Sequence, residues 1–123
     1  MLILRWAITL AAVLSCINAG WCDEKKIELR VLYLGSPDSE RGKSYTAFLQ
    51  DHFTNVTALP RKGFDPAKAD NADVVILDWA QSERSEQTEL PLGAKASWNK
   101  PTVLLGSAGL LLASRWKIHG TLG

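Results

Sequence analysis

Strand-like apolar runs alternate with helix-like segments along most of this 123-residue chain. That alternation predicts an α/β fold: a parallel sheet of order 2-1-3-4 with helices on both faces. Two further observations support it. The runs Glu28–Gly35 and Asp73–Asp78 become continuously apolar, as strands do when both faces of a sheet are covered. The composition, 46% apolar and 22% charged, is that of a globular domain, and the length allows one hydrophobic core but not two.

The N-terminal segment is of another kind. A single early positive charge, Arg5, precedes the uncharged apolar body Trp6–Ile17, and Ile17-Asn18-Ala19 offers a tolerated cleavage site. This predicts a secretory signal peptide over 1–19, a linker over 20–27, and an exported domain over 28–123. The apolar body is short for a bilayer span, which takes about 20 residues. The alternative is a membrane tether through an uncleaved N-terminus, or through lipidation at Val13-Leu14-Ser15-Cys16, a sequence like a lipoprotein box. Loss of Arg5 with the leader leaves thirteen basic and thirteen acidic residues. Cys16 leaves too, and Cys22 alone makes neither an internal disulfide nor a zinc site.

Within the domain, Glu28–Gly35 is the first strand and Ser36–Gly42 a turn-rich loop. Lys43–Phe53 is a helix with Tyr45, Phe48, Leu49 and Phe53 on one face. Asn55–Leu59 is a short second strand stopped by Pro60. Phe64–Asp70 is one helical turn, with Asp65 as its cap and Pro66 at its first position. Asp73–Asp78 is the third strand, rich in β-branched residues. Trp79–Asn99 is polar and poorly periodic, with a short helix over Ser82–Leu90. Pro101–Gly106 is the last strand and Gly109–Trp116 the last helix. Doubly wound sheets usually carry a further strand, so the domain is expected to be incomplete at its C-terminus. Trp98 and Trp116 are read as core or sheet-covering residues.

Charge and motifs narrow the function. Formal net charge is +1 with interspersed signs, so no basic stripe for nucleic acid is present. Gly35-Ser-Pro-Asp-Ser-Glu-Arg-Gly-Lys-Ser44 imitates a phosphate-binding loop. It places six residues where that loop has four, and its acids Asp38 and Glu40 would repel a phosphate. It is read as a solvated loop, and no metal and no cofactor is expected. Gly106-Ser-Ala-Gly109, where a strand runs straight into a helix, is the stronger candidate. Such a turn is expected to strain the backbone at Ser107. It would lift the hydroxyl to the carboxyl edge of the sheet over helix N–H groups.

Pro101-Thr-Val-Leu-Leu-Gly-Ser-Ala-Gly-Leu-Leu-Leu-Ala113, with Gly120 closing the helix, resembles the nucleophile-elbow region of the class I glutamine amidotransferase-like superfamily, PfpI-like and ThuA-like proteins included. Asp73–Leu77 is similar to that family's third strand and Leu29–Gly35 to its first. The resemblance implies a flavodoxin-like fold and, in the enzymes, a cysteine nucleophile with a downstream histidine. Ser107 stands at the cysteine position. The resemblance also implies an acid after the first strand, for which Asp38 and Glu40 are the two choices.

A serine nucleophile needs a base within about 2.6–3.2 Å. The chain has two histidines, His52 and His119, and both are expected at helix C-termini on the opposite rim, where they complement the helix dipole. The carboxyl rim instead collects Asp38, Glu40, Asp78, Trp79 and Ser107, with Gly106, Ala108 and Gly109 around the turn. Asp78 is placed either to accept a hydrogen bond from a ligand or to cap its strand end. Trp79 would supply a flat apolar wall. The expectation is an exported, non-catalytic or truncated amidotransferase-like domain. It would bind a small molecule or a protein, but no nucleic acid and, once mature, no membrane. The alternative is a hydrolase using Ser107 with a base supplied from outside this chain. A flavin or nucleotide binder is a third class.

Overall fold

The computed structural model describes residues 25–86 and 90–120. The expected leader, both cysteines, and residues 20–24, 87–89 and 121–123 lie outside them. In chain order the elements are β1 (Ile27–Gly35), α1 (Glu40–His52), β2 (Phe53–Pro60), β3 (Val74–Trp79), β4 (Thr102–Gly106) and α2 (Ala108–Arg115). Short 3-10 turns occur at Pro66–Ala69, Gln81–Glu86 and Lys95–Ser97. The four strands form one parallel sheet of order β2-β1-β3-β4, a flavodoxin-like arrangement. Val31 lies opposite Val56 and Val74, and Leu77 lies opposite Leu104.

Alternation along β1 and β3 divides the core in two. Val31 and Tyr33 face α1 and pack against Leu49. Leu32, Leu34, Val75, Leu77 and Trp79 face the other way, onto Ala108 and Leu112 of α2 and onto Ala69 and Leu92. Burial of each large side chain contributes about 1.5–3 kcal/mol. Both layers therefore hold the central strands, and helices lie on both faces. Trp98 and Trp116 pack against the second layer as half-buried covers. Among the described residues no helix is long and apolar enough to cross a membrane.

Several local expectations shift. Helix α1 begins at Glu40, before Lys43, because Ser39 caps it: the Ser39 Oγ accepts from the Gly42 N–H at 3.0 Å. Phe53 belongs to β2 rather than to the helix face. Phe48 is 57% exposed and meets His52 edge-on at 4.5 Å, so the buried stripe of α1 is narrower than its aromatic spacing implies. The turn at Pro66–Ala69 is capped as expected, with the Asp65 carboxylate accepting from the Ala67 N–H at 3.0 Å. Helix α2 stops at Arg115 and Lys117 takes a positive φ of 50°, so His119 lies past the helix, not on it.

Candidate functional site

The chain moves from one side of β1 to the other between β1 and β3, and a crevice opens above the carboxyl ends of strands at such a switch point. Here it is a cleft of about 550 Å³ whose lining includes Ser36, Glu40, Arg41, Arg61, Asp78 and Glu83. Local geometry builds it. The Ser39 N–H and hydroxyl both donate to the Ser36 carbonyl, at 3.1 and 2.6 Å. That curls the loop tightly enough for Arg41 to emerge from the first turn of α1. The loop also presses on the helix: a Cβ at Gly42 would collide with the Ser36 carbonyl. Gly42, Lys43 and Ser44 therefore sit inside the helix, and the Gly-Lys-Ser triplet forms no phosphate cradle.

Asp78 forms the floor. It is 3% exposed and accepts from the Tyr33 hydroxyl at 2.6 Å and from Arg41 Nε and Nη2 at 3.0 and 2.8 Å. A buried carboxylate requires such partners, since an unpaired one would be strongly disfavoured. Burial, reinforced by the bond to Asp78, raises the Tyr33 phenol well above its ordinary value, and the same carboxylate raises Arg41. Tyr33 therefore stays protonated and donates.

A second arginine closes the adjoining wall. The Arg61 N–H donates to the Gly35 carbonyl at 2.9 Å, which prolongs the β1–β2 pairing past Pro60. Its guanidinium lies 4.2 Å over the Trp79 ring and donates to Glu83 at 2.6 Å and to the Ser36 hydroxyl at 3.2 Å. Ser36 in turn donates to Glu83 at 3.2 Å. Stacking of a desolvated arginine on tryptophan contributes about 1–2 kcal/mol. The Trp79 Nε1–H donates to the Glu83 carbonyl at 3.3 Å. With the ring 1% exposed and roofed by Arg61, Trp79 supports the wall from beneath and is not itself the apolar wall expected from the sequence.

The elbow lies beside this cleft. Gly106 is paired with Trp79, the Ser107 N–H donates to the Trp79 carbonyl at 2.8 Å, and Arg41 Nη2 comes within 3.6 Å of where a Gly106 Cβ would stand. The strain expected at Ser107 falls on the preceding residue. Gly106 has φ +66°, and a Cβ there would meet the Trp79 carbonyl. Ser107 has φ −80° and ψ −3°, in ordinary right-handed space. Gly109 has no comparable constraint, its nearest neighbour to an added Cβ being a Leu104 methyl at 3.9 Å. Ala108 is fully buried, so its side chain belongs to the core.

Ser107 is 5% exposed and its side chain makes no capping bond to α2. Among the described residues no side chain hydrogen-bonds its hydroxyl. His52 is exposed where α1 gives way to β2, at the amino edge, and His119 is exposed beyond α2, past about 12 Å of helix. Neither reaches Ser107. Asp38 is exposed in the loop after β1, and Glu40, also exposed, lines the cleft. The structure thus brings Asp78, Trp79, Gly106 and Ser107 together and leaves Asp38 at the periphery.

Sequence reasoning missed Tyr33, Ser36, Arg41, Arg61 and Glu83. Arg41 carried a readable signal, because a cation in the first turn of a helix opposes the macrodipole and implies a specific partner. Among the described residues no three His, Cys, Asp or Glu side chains gather as a metal ligand set. No family model, no curated protein and no solved structure matches the chain.

Proposed function

We propose that this chain is an exported binding module of amidotransferase-like type whose ligand seat is the cleft between β1 and β3, not a hydrolase built on Ser107. The observation that carries the reading is the preorganised wall of Ser36, Arg61 and Glu83 beside Asp78 and Arg41. Its donors and acceptors are fixed before any ligand arrives, which lowers the ordering cost of binding.

The ligand class follows from charge. Three acids, Glu40, Asp78 and Glu83, and two arginines line the cleft, so it carries one net negative charge, and each arginine already has a carboxylate. A free anion gains little there. Ala80 is the sole apolar residue among the lining groups, which disfavours a large apolar ligand. A small neutral molecule bearing both donors and acceptors, such as a polyol or a primary amide, fits best.

The test is an NMR titration of the full chain with sorbitol, glutamine and inorganic phosphate, read at the Trp79 indole N–H and the Arg61 Nε–H. Saturable shifts with sorbitol or glutamine, lost in Arg61→Ala, are expected. Phosphate binding alone, or no response to any of the three, overturns the ligand assignment. Ester or amide hydrolysis abolished by Ser107→Ala overturns the non-catalytic reading. Export predicts that the chain recovered outside the cytoplasm has the mass expected after loss of residues 1–19.

A further inference from the structure

We infer that the sheet face above β1 and β2 holds a second ligand seat, which takes a small hydroxylated carboxylate such as a sugar acid. Parallel strands are usually joined through a helix that covers one face of the sheet. α1 does so between β1 and β2, but the crossover from β2 to β3 has only the 3-10 turn Pro66–Ala69 as regular structure. Beside that turn lies a cavity of about 280 Å³ whose lining includes Arg30, Leu32, Asn55, Thr57, Lys68 and Asn71. It takes no lining residue from β4 or α2 and shares none with the cleft above β1 and β3, so it stands independently of the reading given to that cleft.

Strand pairing gathers the polar groups on one face. Asn55 lies opposite Arg30 and Thr57 opposite Leu32. Alternate residues of a strand share a face, so all four stand on the side where Leu32 joins the α2 layer. Leu32, 3% exposed, is the apolar floor. Asp73 fixes Arg30, accepting from its Nε and Nη2 at 3.0 and 2.6 Å, and among the described residues Nη1 is left unused. Lys100 braces the opposite wall by donating to the Asp70 and Ala72 carbonyls at 2.7 and 3.1 Å. Among the described residues, the Thr57 hydroxyl, the Asn71 amide and the Lys68 ammonium have no hydrogen-bond or ion-pair partner.

Charge selects the ligand. Arg30 and Lys68 against Asp73 leave one net positive charge at the cavity, and the adjoining Lys100 and Asp70 leave that balance unchanged. The cleft above β1 and β3 has the opposite sign. A carboxylate shared by Lys68 and the unused Arg30 N–H groups would gain charge-assisted hydrogen bonds. A second negative charge on the ligand would go unanswered. Asn55, Asn71 and Thr57 present both donors and acceptors, which hydroxyl groups match. The volume lies just below the roughly 300–1,000 Å³ typical of ligand pockets, which restricts the seat to a small molecule.

NMR titration of the full chain with gluconate, acetate and sorbitol tests the inference. Gluconate carries a carboxylate and hydroxyls, acetate lacks the hydroxyls, and sorbitol lacks the carboxylate. The side-chain amides of Asn55 and Asn71 are the readout, which separates this seat from the cleft beside Trp79. Saturable shifts with gluconate are expected there, with acetate and sorbitol each at least about tenfold weaker. Lys68→Ala, at an exposed position, should weaken gluconate at least about tenfold with unchanged circular dichroism. Lys68→Arg, which keeps the charge, should retain most of the affinity. No gluconate response at the two amides overturns the inference. So does an equal response to acetate or sorbitol, or an affinity that Lys68→Ala leaves unchanged.

Discussion

The carboxyl edge of the sheet has two unlike halves. Above β1 and β3, Tyr33, Arg41 and Asp78 hydrogen-bond one another, and Ser36, Arg61 and Glu83 do the same across the neighbouring wall. Above β4, Ser107 is just as buried, but among the described residues no side chain hydrogen-bonds its hydroxyl. The first half contains three charged partners around a buried carboxylate and a roofed tryptophan. The second is backbone hydrogen-bonded to backbone, tightened around a glycine. A hydroxyl at a sharp turn resembles a nucleophile in one dimension. Chemistry requires a partner within hydrogen-bond reach in three, and on this rim the partners stand on the other side.

The largest effect that would sharpen this contrast is expected at Gly106. Gly106→Ala combines a positive φ with a collision against the Trp79 carbonyl. It should cost about 3 kcal/mol or more in urea denaturation. A loss below 1 kcal/mol would mean that the β4 turn is softer than its geometry implies. Next comes Asp78→Ala, which strips the Tyr33 hydroxyl and Arg41 of their shared acceptor. About 2–4 kcal/mol should be lost, with Arg41 recovering part of its solvation because its side chain is 40% exposed.

A smaller effect is expected in alkali. The Tyr33 phenol is raised above its ordinary value of 10.0 by burial first and by Asp78 second, so the folded state holds that proton more tightly than the unfolded chain does. The resulting stability is complete below about pH 10 and is lost as pH rises toward the folded-state pKa. Tyr33→Phe should remove this alkaline loss, at a cost of about 1–2 kcal/mol near neutrality. A wild-type stability curve that is flat above pH 10 would contradict the buried hydrogen bond. The smallest effect belongs to Ser107→Ala, expected within about 0.5 kcal/mol of wild type because no side-chain hydrogen bond is lost. A large destabilisation there would place Ser107 in a polar network like that of the other half.

Much of the architecture was legible in the order of residues. The apolar middle of β1 and the β-branched run Val74-Val75-Ile76 are local signals, and alternation with helices implies parallel pairing and the order that the sheet adopts. Capping was only partly legible. Asp65 before Pro66 announces its turn, whereas Ser39 was hidden in a loop whose Gly-Lys-Ser triplet drew attention to a phosphate cradle. Aromatic spacing along α1 overstated its buried face, since Phe48 finds His52 and solvent instead of the sheet.

The sequence by itself determined which segments are strands, how they alternate with helices, and that Gly106 and Ser107 stand where a strand turns into a helix. These follow from hydrophobic periodicity and backbone sterics, which act over a few neighbouring residues. Only the tertiary structure decided which charges meet. Arg41 and Asp78 lie 37 positions apart, and Arg61 and Glu83 lie 22 apart. Coulombic and hydrogen-bond selection acts across space at a few ångströms, so it has no one-dimensional trace until the chain has folded and removed the water between the partners.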